Sequence, residues 1–147
     1  PFPAWLRWRR RREERKDVIV GKPLGGGLFS GGNTVQYAPR ARELTEALVA
    51  TFDGSKIPDW VCTMGLELEG EGGVETTCYS FRFNRGELDF QEGALPEDAD
   101  LTVHIPAGLW AAILLKKRRI ETAVLRGEIT YEGRAEEGLH LRDAFRL

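Results

Sequence analysis

The chain offers few side chains that could do covalent or acid–base chemistry. Its two cysteines, Cys62 and Cys78, lack a Cys-x-x-Cys spacing, and its two histidines, His104 and His140, lie far apart. A structural zinc site takes four ligands, usually in close sequence pairs, so this arrangement predicts reduced, buried thiols and no metal. His104 sits in the alternating stretch LTVHIP on the face opposite Val103, and His140 lies in a highly charged amphipathic stretch. Both read as ordinary surface histidines. There is no Gly-x-Ser-x-Gly elbow, and GGGLFSGG (Gly25 to Gly32) lacks the Lys-Ser/Thr of a phosphate-binding loop. The carboxylates fall where solvated positions are expected. With no positioned base, nucleophile or metal, the sequence predicts a non-enzymatic protein without a cofactor.

The informative pattern is apolar. Residues 21 to 37 hold six glycines and a proline and read as a flexible connector. The compact domain is expected over 39–147, after an arm and connector over 1–38. Pro39 to Phe52 predicts a helix, with Leu44, Leu48 and Phe52 on one stripe. A region of period two follows. Met64, Leu66 and Leu68 alternate with Thr63 and Glu67; Tyr79, Phe81 and Phe83 with Ser80 and Arg82; Leu88 and Phe90 with Asp89; Leu101, Val103 and Ile105 with Thr102 and His104. These predict four strands, each with one apolar face. If Gly70 to Gly73 is a four-residue loop, Met64 faces Tyr79 and Cys62 faces Phe81. If Arg85-Gly86 is a two-residue turn, Phe83 faces Leu88 and Phe81 faces Phe90. Both turns gather the large apolar residues on one face. They also put Cys62 and Cys78 on opposite faces, which excludes a disulfide between them.

Pro106 opens a helix whose apolar face is Leu109, Trp110, Ile113 and Leu114, with Lys116 to Arg119 at the end that the helix dipole makes favourable for cations. A short helix, Ile120 to Leu125, a fifth strand, Glu128 to Glu132, and a final helix, Arg134 to Phe145, complete the chain. The order α-β-β-β-β-α-α-β-α, with strand runs joined by tight turns and helices grouped apart, predicts an α+β fold with helices on one face of the sheet.

The 21 basic and 23 acidic residues nearly balance, but residues 1–16 carry a net charge of +5 and the remainder −7. That distribution argues against nucleic acid as a partner of the domain. No apolar run approaches the length needed to span a bilayer, and Phe2 to Leu6 is too short for a secretory signal, so a cytoplasmic protein is expected.

The C-terminal half resembles the sterol carrier protein type-2 family, also called the sterol transfer family. The family pattern is an A-D-x-T/L strand, an amphipathic helix, a helix flowing into x-G-x-L/I-x-x-x-G, and a closing helix. Here the pieces read ADLTVHIP (Ala99 to Pro106), GLWAAILLKK (Gly108 to Lys117), IETAVLRGEITYEG (Ile120 to Gly133) and EEGLHLRDAF (Glu136 to Phe145). The resemblance covers about residues 40 to 147. The chain departs from the pattern in its arginine-rich arm, and in Lys116 to Arg119, which replace a glycine-containing turn. The resemblance implies a five-stranded, mostly antiparallel sheet covered by helices, with an apolar tunnel between them that holds a sterol, fatty acyl chain or phospholipid.

Such a site needs little specific chemistry. A buried methylene contributes about 0.8 kcal/mol and micromolar affinity needs about 8 kcal/mol, so roughly ten methylenes suffice before entropic costs. The candidate lining is Met64, Leu66, Tyr79, Phe81, Phe83, Phe90 and Val103 from the strands, and Leu109, Trp110, Ile113, Leu114 and Phe145 from the helices. An accessory domain of the same fold, with a filled core and docked to a larger enzyme through its arm, is the alternative. Candidate contacts to an anionic membrane or a protein partner are Trp5, Trp8, Arg9, Arg10, Arg11 and Arg12 of the arm, and Lys116 and Lys117. Nothing in the sequence specifies an oligomeric state.

Overall fold

The computed structural model describes residues 34–146. The arm residues Trp5, Trp8 and Arg9 to Arg12 therefore lie outside the described residues. A 3₁₀ turn, Val35–Arg40, leads into α1, Ala41–Val49, and a second 3₁₀ turn, Gly54–Lys56. Strands β1 (Val61–Glu69), β2 (Thr77–Asn84), β3 (Glu87–Glu92) and β4 (Leu101–Pro106) follow, then α2 (Ala107–Leu114), α3 (Ile120–Leu125) and β5 (Thr130–Gly133). A 3₁₀ segment, Ala135–His140, and one turn of helix, α4 (Leu141–Ala144), end the fold.

The sheet order is β3-β2-β1-β4-β5, and every pairing is antiparallel except β1 with β4. The expected α+β architecture is present. The β2–β3 hairpin has the expected register, Phe83 opposite Leu88 and Phe81 opposite Phe90. Its turn residues Arg85 and Gly86 both have positive φ, 48° and 87°, as a two-residue turn matched to strand twist requires.

The β1–β2 register differs from the expected one by two residues: Met64 faces Phe81 and Cys62 faces Phe83. The tip is wider than Gly70 to Gly73. Thr76 Oγ1 accepts from the Gly70 N–H at 2.9 Å, and the Glu71 carboxylate leaves the hairpin to accept the Gly108 N–H of α2 at 2.8 Å. A two-residue shift conserves every side chain's face, so the apolar set survives it.

Other boundaries also moved. Pro39 lies inside the first 3₁₀ turn, and α1 stops at Val49, before Phe52. The expected long C-terminal helix is a 3₁₀ segment followed by a single α turn. β5 begins at Thr130 because Glu128 closes the end of α3: its N–H donates to the Ala123 carbonyl at 3.0 Å, and its carboxylate pairs with Arg118 at 2.6 Å.

Helix α2 is apolar all round, and seven of its eight residues are buried. It lies in the middle of the fold, between the sheet and the layer formed by the first 3₁₀ turn and α1. Gly108 permits that closeness: a Cβ there would sit 2.3 Å from the Thr34 carbonyl oxygen. Among the described residues, no helix is long and apolar enough to cross a membrane.

Candidate apolar binding site

The inner face of the sheet is built by period two alone. Met64, Leu66 and Leu68 of β1 stand beside Leu101, Val103 and Ile105 of β4, each pair directly opposite in the parallel register. Tyr79, Phe81 and Phe83 of β2 continue the surface, and Leu88 and Phe90 of β3 reach its edge. All these residues join one apolar cluster with Leu109, Trp110, Ile113, Leu114 and Phe145. The twelve residues expected to line a pocket are thus brought together, with Phe90, Val103 and Leu114 only partly buried.

An aromatic row crosses this face. Trp60 stacks on Phe83 with centroids 4.4 Å apart, Phe83 on Phe81 at 6.1 Å, and Phe90 contacts both Phe81 (4.9 Å) and Tyr79 (5.3 Å). Phe52 and Phe145 cover the row at Phe83, at 6.0 and 5.9 Å. Trp60 was missed by the alternation because it precedes the strand. Its indole N–H donates to Glu137 at 2.6 Å, and the exposed His140 ring lies 5.0 Å away.

Polar groups of Trp110, Thr45 and Tyr79 lie within the apolar layer. The Trp110 N–H donates to Thr45 Oγ1 at 2.9 Å, and the Thr45 hydroxyl donates to the Ala41 carbonyl at 2.7 Å. Thr45 is a buried polar residue on the inward side of α1, a role the apolar stripe does not reveal. The Tyr79 ring is 1% exposed, yet its hydroxyl has no hydrogen-bond partner among the described residues. Thr45 is its neighbour, but no bond of good geometry joins them. Burial, and then the Glu92 carboxylate, push the Tyr79 hydroxyl's pKa up, so it remains a donor.

The thiols are on opposite faces, as expected, and free. Burial, then Glu137, push Cys62 well above the range in which a thiolate forms. Burial and Glu67 also push Cys78 up.

The outer face holds a correction. His104 is not an ordinary surface residue: it is 4% exposed, with Nδ1 2.6 Å from Glu67 Oε1 and Nε2 3.2 Å from Glu132 Oε1. Glu67 is its direct neighbour across the β1–β4 pairing, and Glu132 is diagonal to it on β5. Both contacts are satisfied as hydrogen bonds when the ring carries both its protons, or when one carboxyl group supplies one. Among the described residues, no three His, Cys, Asp or Glu side chains are placed to hold a metal ion. Leu95 and Pro96 lie over this face at Gly65, where a Cβ would come within 3.0 to 3.3 Å of their side chains and that of Thr102.

No protein-family model matches the chain, and no curated protein matches it in sequence. Solved structures do match in fold. Sterol carrier protein 2 like 2 from Aedes aegypti superposes with a TM-score of 0.54 at 20% identity, over 72% of this chain and 94% of its own. The solution structure of palmitated SCP2L2 from Aedes aegypti gives 0.55 at 18%, over 67% and 86%. A double mutant of the sec-alkyl sulfatase PisA1 gives 0.60 at 19%, over 69% of this chain, which spans only 15% of the sulfatase's length. The chain has a sterol carrier protein 2-type fold.

Proposed function

We propose that this protein binds and carries an apolar molecule with a long hydrocarbon part, of the fatty acyl class, between the inner face of the sheet and α2. The observation that carries the reading is the Tyr79 hydroxyl: a buried donor without a hydrogen-bond partner among the described residues, set in an otherwise apolar face. A buried polar group left unpaired is uncommon in native proteins, and a ligand's carboxylate or ester oxygen would satisfy it. The fold supports the reading, since one protein sharing it was solved in a palmitated form. The lining is the set named from the sequence, with Trp110 held by Thr45 as a fixed wall.

Organic-solvent extraction of the purified protein, followed by mass spectrometry, should release a fatty acyl or similar lipid in near-stoichiometric amount. A protein that is empty, and that also fails to take up a fluorescent fatty acid, overturns the carrier reading. Tyr79→Phe should weaken fatty-acid binding about tenfold, the worth of one hydrogen bond to a charged group. The same change should leave stability unchanged or raised, because it removes an orphan hydroxyl; titration and urea unfolding read the two effects.

A second reading has its own observation. The chain matches a segment amounting to 15% of a sec-alkyl sulfatase. A filled-core accessory domain docked to a larger enzyme accounts for that match. Failure of both ligand experiments would favour it.

A further inference from the structure

We propose that segment 115–126, the turn after α2 together with α3, docks this protein on an anionic lipid bilayer. The proposal does not depend on what the interior holds.

Four cations in this short stretch, Lys116, Lys117, Arg119 and Arg126, are exposed, and among the described residues none forms a salt bridge. The neighbouring Arg118 is instead tied to Glu128, and Glu121 is neutralised by Arg142. The patch is therefore a local excess of four positive charges on a body, residues 17–147, whose net charge is −7. Within it, Leu125 is 88% exposed and Val124 47%, two of the four large apolar side chains that the described surface leaves out in water. Exposed cations that flank protruding aliphatic tips along one short segment fit an interface with headgroup phosphates outside and acyl chains beneath. A polyanion alone would leave Leu125 unused.

The backbone supplies an independent observation. Helices α2 and α3 end in the same capping motif. After α2, the Lys117 N–H donates to the Ala112 carbonyl and the Lys116 N–H to the Ile113 carbonyl; after α3, the Glu128 N–H donates to Ala123 and the Gly127 N–H to Val124. The residue at the left-handed position is Gly127 (φ 72°) in one and Lys116 (φ 63°) in the other. Glycine takes this conformation freely, whereas an L-residue with a side chain is strained there. A strained lysine in place of glycine points to a use for its side chain, and it stands in the turn that leads directly into α3, the helix of the exposed Leu125.

The test uses the full chain, with Leu125→Cys carrying a polarity-sensitive fluorophore in a Cys78→Ser background, and vesicles of phosphatidylcholine with or without 30% phosphatidylserine. Anionic vesicles should shift the label's emission to the blue, and neutral vesicles should not. Unlabelled Lys116→Gly should raise Tm by about 4 °C, since glycine relieves the strain. It should also weaken anionic-vesicle binding about fivefold, the share of one basic residue near such a surface. A misfolded variant cannot produce the first effect. Protein that sediments with anionic vesicles while the label stays in water would assign the contact to another segment and overturn the proposal. So would an absence of binding to anionic vesicles, or Lys116→Gly protein that binds as the parent does.

Discussion

Along β1, alternate residues enter two different environments. Met64, Leu66 and Leu68 point to a layer of helices and are buried among apolar neighbours, whereas Glu67 points the other way, against His104. Burial on the inner side comes from hydrophobic area and needs only that the right residue types share a face. On the outer side, a buried imidazole is tolerable only because carboxyl groups on two other strands meet both of its ring nitrogens at hydrogen-bond distance. One face is therefore robust to shifts in register, and the other depends on three particular side chains meeting.

This difference can be broken most strongly on the inner side. Phe83 is fully buried and touches Trp60, Phe52, Phe81 and Phe145. Phe83→Ala should cost about 4 kcal/mol in urea unfolding. Arg82→Ala next to it, on an exposed pair with Asp98, should change stability by about 0.5 kcal/mol or less. On the outer side, His104→Ala leaves two carboxylates facing a gap and should cost about 3 kcal/mol near neutral pH. Replacing Glu67, His104 and Glu132 together with apolar residues should recover much of that loss. If the single change is silent, the outer face is not held as described. Thr45→Val takes the acceptor from the Trp110 N–H and should cost about 2 kcal/mol, visible in unfolding and in the tryptophan fluorescence.

The smallest effect concerns Glu71, which joins the β1–β2 tip to the start of α2. Burial raises its carboxyl pKa despite the Gly108 N–H. A raised folded-state value means that the folded protein holds this proton more tightly than the unfolded chain. The resulting stability is present at low pH and is lost as pH rises through the folded value. Glu71→Gln keeps an acceptor for Gly108 without the charge. Its stability relative to the parent should therefore improve as pH rises from the ordinary carboxylate range through the folded value, as thermal melts at each pH would show.

How far the sequence was legible follows from the range of each contact. The β2–β3 register was readable because Arg85-Gly86 allows only a tight turn. The β1–β2 register was not, because its tip is drawn out by Glu71 reaching a helix 37 residues away. The members of the inner apolar face could be named residue by residue, since a two-residue slip leaves faces unchanged. His104 was placed on the correct face, but its environment was missed. Glu67 and Glu132 lie 37 and 28 residues from it in sequence. The available signal was that all three occupy polar positions of alternating stretches; only the strand order makes them neighbours.

Residue pattern alone specified the layers: a sheet with one apolar face, a helix with an apolar face to cover it, and a basic turn after that helix. Those properties are periodic and local, and any register consistent with the pleat preserves them. Contacts between distant segments set the remaining features. Parallel pairing of β1 with β4 closed the histidine between its carboxylates. The packing of α1 on α2 gave Trp110 a partner, and among the described residues the Tyr79 hydroxyl has none. The end of α2 held Lys116 in a glycine's conformation. Each depends on polar groups meeting across long stretches of chain, where a displacement of one ångström decides whether a hydrogen bond exists, and residue spacing alone carries no such distance.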